Sequence, residues 1–243
     1  MEEEGWGMTM DQSVPPAEPL VRAVGITRVF GKGSASVSAL RGADLTIPAR
    51  RLIALRGRSG SGKTTLINIL GMLDRPTEGT VLFAGEDLAR FPEKKRSEMR
   101  RKQMGLIFQS FGLVPLMTAY ENVEFGLRIA GVKPALYKEY GEHALELVGL
   151  KARMKHRPYE MSGGEQQRVA IARAIAHKPA LILADEPTAE LDSKMGMQVM
   201  QAFRSLVRDE GMTVILTTHD PAIMSTADHI YTLEDGRIAH EEE

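Results

Sequence analysis

Three short apolar runs without polar alternation punctuate the chain: Leu52-Ile53-Ala54-Leu55, Leu181-Ile182-Leu183-Ala184 and Val214-Ile215-Leu216. Such runs predict strands buried on both faces, as in a parallel sheet covered by helices. Between them the hydrophobic period changes. Val199, Met200, Phe203, Leu206 and Val207 recur at helical spacing, which predicts an amphipathic helix after Asp192. Strands alternating with helices predict an α/β fold with a mostly parallel sheet. The first run leads into a glycine-rich loop, the second into Asp185-Glu186 and the third into Thr217-Thr218-His219. In such sheets ligands bind beyond the carboxyl ends of the strands, where all these polar residues fall.

Other stretches break the rhythm. Residues 105–160 read as mainly helical and are expected to form a helical subdomain inserted into the α/β core. Residues 21–48 carry short alternating patches and turn residues, which predict a small N-terminal antiparallel β layer. Residues 1–19 hold Glu2, Glu3, Glu4, Asp11 and Glu18, no basic residue, and Pro15-Pro16. They are expected to be a disordered acidic tail, because a secretory signal needs a basic start and an apolar stretch. Residues 20–243 then form the folded domain. The chain stops soon after Asp235-Gly236-Arg237, so no added regulatory domain is expected.

Composition narrows the function. A net charge of −1 gives no electrostatic case for a nucleic-acid partner or for wholesale membrane attraction. The chain has no cysteine, which excludes disulfides, thiolate metal sites and cysteine nucleophiles. No apolar run approaches the roughly 20 residues of a membrane helix. The protein is expected in the cytoplasm, meeting a membrane only through a partner.

Gly57-Arg58-Ser59-Gly60-Ser61-Gly62-Lys63-Thr64 has glycine, four residues, then Gly-Lys-Thr. Backbone N–H groups must approach the oxygens of a triphosphate closely, and glycines remove the side chains that would block them. A helix starting near Lys63 would aim its positive end at the phosphates. Lys63 suits the β- and γ-phosphates, and the Thr64 hydroxyl suits Mg²⁺. Asp185, at a strand end, is placed to hold Mg²⁺ through water, and Glu186 to polarise a water in line with the γ-phosphate; the competing reading is an ordinary acidic turn before Pro187. His219 is set at the same edge, for γ-phosphate contact or for a structural role. Met161-Ser162-Gly163-Gly164-Glu165-Gln166-Gln167-Arg168 contains a capping-box pattern, Ser162 with Glu165, ahead of a helix through Val169, Ala170, Ile171, Ala174 and Ile175. Gly163 and Gly164 are expected to leave its first N–H groups open. One nucleotide does not need two helix N-termini from one chain, so a head-to-tail homodimer with ATP between the two copies is expected. The basic cluster Lys94, Lys95, Arg96, Arg100, Arg101 and Lys102, interrupted by Glu98, reads as a solvated helix face.

This order of motifs resembles the nucleotide-binding domain of ABC proteins from about Val21 to Ile238. The resemblance implies a P-loop NTPase core, ATP and Mg²⁺ as cofactors, ATP hydrolysis, and an integral membrane permease in a separate chain as partner. It assigns catalysis to Glu186, His219 and Lys63. It assigns nucleotide contacts to Phe30 (stacked on adenine), to Gly57, Arg58, Ser59, Gly60, Ser61, Gly62, Lys63, Thr64 and Thr65, and to Gln109, Ser162, Gly163, Gly164, Glu165 and Asp192. It assigns the metal to Thr64, Gln109 and Asp185. For Phe30, a place in the core of the β layer is the competing reading. The stretch Asn68 to Thr77, with Phe108-Gln109-Ser110-Phe111 and Glu121-Asn122-Val123, is similar to the macrolide-efflux, lipoprotein-release and antimicrobial-peptide-resistance ATPases. A non-transporting ATPase that gates a membrane regulator would use the same residues. The chain departs from the pattern at Met161, at Arg50-Arg51 and at Ala189-Glu190. The last departure puts a further carboxylate near the dimer seam, where it is expected to weaken closure.

Overall fold

The computed structural model describes residues 19–242; the acidic tail expected over residues 1–19 lies almost entirely outside them. The chain opens with β1 (Val21–Phe30), β2 (Val37–Ile47) and β3 (Leu52–Arg56), then α1 (Lys63–Leu70), β4 (Glu78–Phe83) and β5 (Glu86–Asp87). It continues through α2 (Glu93–Gln103), β6 (Met104–Ile107), α3 (Ala119–Ala130), α4 (Tyr137–Leu147), α5 (Gly163–Ile175) and β7 (Leu181–Ala184). It ends with α6 (Ser193–Asp209), β8 (Thr213–Thr217), α7 (Pro221–Met224), β9 (His229–Glu234) and β10 (Arg237–Glu242).

The three apolar runs become β3, β7 and β8. They lie in a six-stranded sheet of order β10-β9-β3-β8-β7-β6. All its pairings are parallel except β10 with β9. Strand side chains alternate between faces, and β3 shows it. Leu52 and Ala54 join an apolar cluster with α3, α5 and α6, while Ile53 and Leu55 join another with α1, β1 and β2. A sheet buried on both sides needs apolar residues at every position, which is why these strands read as unbroken runs.

The second sheet is wholly antiparallel, in the order β2-β1-β4-β5. The N-terminal β layer thus draws in residues 78–87 as well as residues 21–47. The segment expected to be helical from Gly105 needs a correction. Met104–Ile107 is strand β6, paired with β7 at the edge of the core sheet, so the helical stretch begins beyond Ile107. Four residues, one of them glycine, are too few to display a period. Helices α3 and α4 pack on each other and on α5.

Among the described residues, no helix is long and apolar enough to cross a membrane. The solvated face expected of the basic cluster holds at Lys94, Lys95 and Arg101, which are exposed, and is corrected at Arg96 and Arg100. Arg96 is 4% exposed. Its Nη2 donates to the carbonyls of Met72 at 2.7 Å and Asp74 at 2.8 Å. Arg100 donates to the same Met72 carbonyl at 2.8 Å. Helix α2 uses these two guanidiniums to hold the turn that follows α1, at Met72 and Asp74.

Candidate active site

The parallel register sets the site. Leu55 is opposite Thr217, Leu216 opposite Ala184, and Ala184 opposite Ile107. The strands therefore end at one level, and the next residues of each, including Gly57, His219, Asp185 and Gln109, emerge along one edge.

The loop after β3 depends on glycine at its end. Gly62 has φ 108°, and a β-carbon there would lie 2.6 Å from the Ala39 carbonyl oxygen, so only glycine fits. Arg58, Ser59 and Gly60 are exposed, and Ser61 is buried. Its Oγ is enclosed with no hydrogen-bond partner among the described residues. Lys63 is 7% exposed. Its Nζ donates to the carbonyls of Gly57 at 2.8 Å and Arg58 at 3.1 Å. The ammonium is thereby held inside the loop at the N-terminus of α1, where backbone N–H groups and the helix dipole favour an anion. Thr64 and Thr65 follow in the first turn.

Thr64 Oγ1 donates to Asp185 Oδ2 at 2.8 Å, which joins the phosphate loop to the end of β7. Thr217 donates to Asp185 Oδ1 at 2.7 Å and accepts from the Glu186 N–H at 2.8 Å. Glu186 Oε1 lies 3.9 Å from His219 Nδ1. A hydroxyl and a carboxylate side by side are hard oxygen donors. Together with phosphate and water they fit Mg²⁺, which uses one or two protein oxygens in nucleotide sites rather than an all-protein cage. Among the described residues there is no cluster of His, Cys, Asp and Glu that would hold a metal without such help.

Gln109 is exposed, and its Nε2 donates to Glu190 Oε1 at 3.2 Å. The backbone beyond it is tied to α5 by Arg173, whose guanidinium donates to the carbonyls of Gly112 at 2.6 Å and Phe111 at 3.0 Å. Burial lowers the Arg173 pKa. The buried Gln167, also on α5, donates to the Pro187 carbonyl at 2.7 Å. One helix thus grips both the loop after β6 and the turn after β7.

The start of α5 carries the expected capping box. Ser162 Oγ accepts from the Glu165 N–H at 3.3 Å, and Glu165 accepts from the Ser162 N–H at 2.9 Å. That backbone bond is the main reason the Glu165 carboxyl sits below its ordinary pKa, with Arg153 adding to it. The two glycines differ. Gly163 is exposed, but Gly164 is buried, and a β-carbon there would lie 2.5 Å from Met195 Sδ. Its small size serves contact with α6 as well as an open helix start. Asp192 caps α6 through the Met195 N–H at 2.9 Å. Among the described residues, no hydrogen bond or ion pair joins Ser162, Glu165 or Asp192 to the phosphate loop. Phe30 ends β1, 42% exposed, with the Arg28 guanidinium 4.3 Å over its ring. That exposure overturns the core reading of Phe30.

Thr217 and Arg173 went unread as site residues. Thr217 stands in a stretch noted for His219, and Arg173 carries no local signal, because its partners are backbone carbonyls about sixty residues away.

Comparison with known proteins agrees with this geometry. The profile of the ABC transporter family matches residues 40–189. The chain is 44% identical to the macrolide export ATP-binding/permease protein MacB of Wolinella succinogenes over 93% of its own length and 35% of that protein's. It thus spans about a third of that relative. It is 39% identical to the lipoprotein-releasing system ATP-binding protein LolD of Hyphomonas neptunium, over 91% of this chain and 97% of that one. Among solved structures, the dimeric post-hydrolysis state of the ATP-binding cassette MJ0796, bound to ADP and Pi, superposes with a TM-score of 0.83 at 37% identity, covering 92% of this chain and 98% of that chain. The chain belongs to the ABC transporter family, as one of its ATP-binding and ATP-hydrolysing cassettes.

Proposed function

We propose that this cassette works as a head-to-tail homodimer on the cytoplasmic face of a membrane, coupling ATP hydrolysis to movement of a permease in another chain, in efflux or in lipoprotein or peptide handling. The bond from Thr64 to Asp185 carries the reading, because it joins the phosphate loop to the carboxylate strand at the point a nucleotide-bound cation needs. Lys63 holds the β- and γ-phosphates. Thr64 and Asp185, with Gln109, would hold Mg²⁺, which when bound offsets phosphate charge. Glu186 orients the attacking water and takes its proton. His219 supports the γ-phosphate, and Phe30 stacks on the base. Ser162 and Gly163 of the partner copy close over the nucleotide. Positioning and electrostatics supply most of the rate enhancement in such phosphoryl transfers.

The names of the MacB and LolD relatives support the membrane-export setting, and the dimeric MJ0796 structure supports the homodimer. Tagged Glu186→Gln protein, loaded with ATP and purified from gently solubilised host membranes, tests it. Co-purification of one polytopic membrane protein in fixed ratio is the expected result. Recovery of soluble partners alone sinks the permease coupling and leaves the ATPase standing.

A further inference from the structure

The turn after β7 gathers four carboxylates within eight residues, Asp185, Glu186, Glu190 and Asp192. Asp185 accepts from two threonines, Glu186 faces His219, and Asp192 caps α6. Glu190 differs in having a side-chain amide as its partner, that of Gln109. The two residues meet from loops that follow adjacent strands, β6 and β7. Both loops are anchored from α5, by Arg173 on one side and Gln167 on the other. The turn under Glu190 is further closed by the Ala189 N–H to the Glu186 carbonyl at 3.2 Å and the Leu191 N–H to the Thr188 carbonyl at 3.1 Å.

An ionised carboxylate only accepts hydrogen bonds. It can therefore hold the NH₂ end of an amide and not the oxygen. Only the oxygen of a glutamine amide ligates a hard cation. The pairing thus selects one of the two ways the Gln109 amide can face, and among the described residues no other hydrogen bond to that exposed side chain makes the choice.

We propose that Glu190 is a positioning residue, which fixes the rotation of the Gln109 amide so that its oxygen stays available to the cation of the nucleotide site. This rests on the reading of Gln109 as a metal contact. Glu190 touches neither nucleotide nor metal; it acts through Gln109 alone.

The test is binding of Mn²⁺, as a paramagnetic substitute for Mg²⁺, by the full chain loaded with a non-hydrolysable ATP analogue, with free Mn²⁺ followed by electron paramagnetic resonance. Glu190→Ala should weaken Mn²⁺ binding on the order of tenfold, the lower end of the effect when a ligand loses its orienting partner. Gln109→Ala should weaken it at least as much, and the double variant no further. Glu190→Gln, which keeps an acceptor oxygen at the same reach, should fall between wild type and Glu190→Ala. Wild-type Mn²⁺ affinity in Glu190→Ala, or a double variant weaker than Gln109→Ala, overturns the proposal. Wild-type affinity in Gln109→Ala instead overturns the reading of Gln109 as a metal contact.

Discussion

Glu186 has φ 47°, a left-handed conformation that costs a residue with a β-carbon about 1–3 kcal/mol. Thr217 helps hold it there, through one hydroxyl that accepts from the Glu186 N–H and donates to Asp185. Two predictions belong to this scale. Glu186→Gln is isosteric and should bind ATP as wild type while turnover falls on the order of 10²–10⁴-fold, the usual range for loss of a general base; near-normal turnover in a phosphate-release assay would remove Glu186 from that role. Thr217→Val should cost about 1–3 kcal/mol by leaving the Glu186 N–H without its partner, and should lower turnover as well, because Asp185 loses a bond at the same time. Denaturant titration and the ATPase assay, run on one preparation, read both effects.

At the scale of the element, helix α2 shows how composition alone misleads. Its six basic residues and two glutamates resemble a solvated face, yet Arg96 is among the most buried polar residues in the chain. Burial lowers its pKa, but the guanidinium retains its bonds to the carbonyls of Met72 and Asp74. Arg96→Met should therefore destabilise the fold by roughly 2–3 kcal/mol, since buried carbonyls lose charge-assisted bonds that water cannot replace. A urea midpoint unchanged from wild type would show that Arg100 alone suffices to hold the turn after α1. Helix α5 is the contrasting case, where Ser162 with Glu165 announced a capping box that the structure contains. Ser162→Ala should cost about 1 kcal/mol through the lost cap, which thermal unfolding would detect.

Across the whole molecule, stability should depend on pH through His177, between α5 and β7. Burial pushes its pKa from 6.5 down to about 4, against a hydrogen bond to the Met104 backbone, and Nε2 is enclosed without a partner among the described residues. The unfolded chain takes up this proton near the ordinary value, whereas the folded chain takes it up only near the lowered one. Unfolding thus binds protons between the two. Stability is full above pH 6.5, falls as pH drops towards 4 and levels off below it, with up to about 3 kcal/mol at stake. His177→Leu should flatten that part of the curve in denaturant titrations across the range. An unchanged slope would place the acid sensitivity elsewhere.

Legible along the chain alone are the α/β class, the buried strands β3, β7 and β8, the glycine loop and the cap of α5. Each is a local matter: an unbroken apolar run marks a strand covered on both faces, and a glycine or cap residue answers to its own turn. Tertiary structure alone decided the rest. Strand β6 was too short to show a period, and only its pairing with β7 reveals it. The second sheet recruits β4 and β5, because closing the edge of β1 is a long-range event. The partners of Arg96, Arg173, Thr217 and Glu190 lie tens of residues away along the chain. No local pattern encodes such a bond, because side chains of this reach take the partner that folding brings near them.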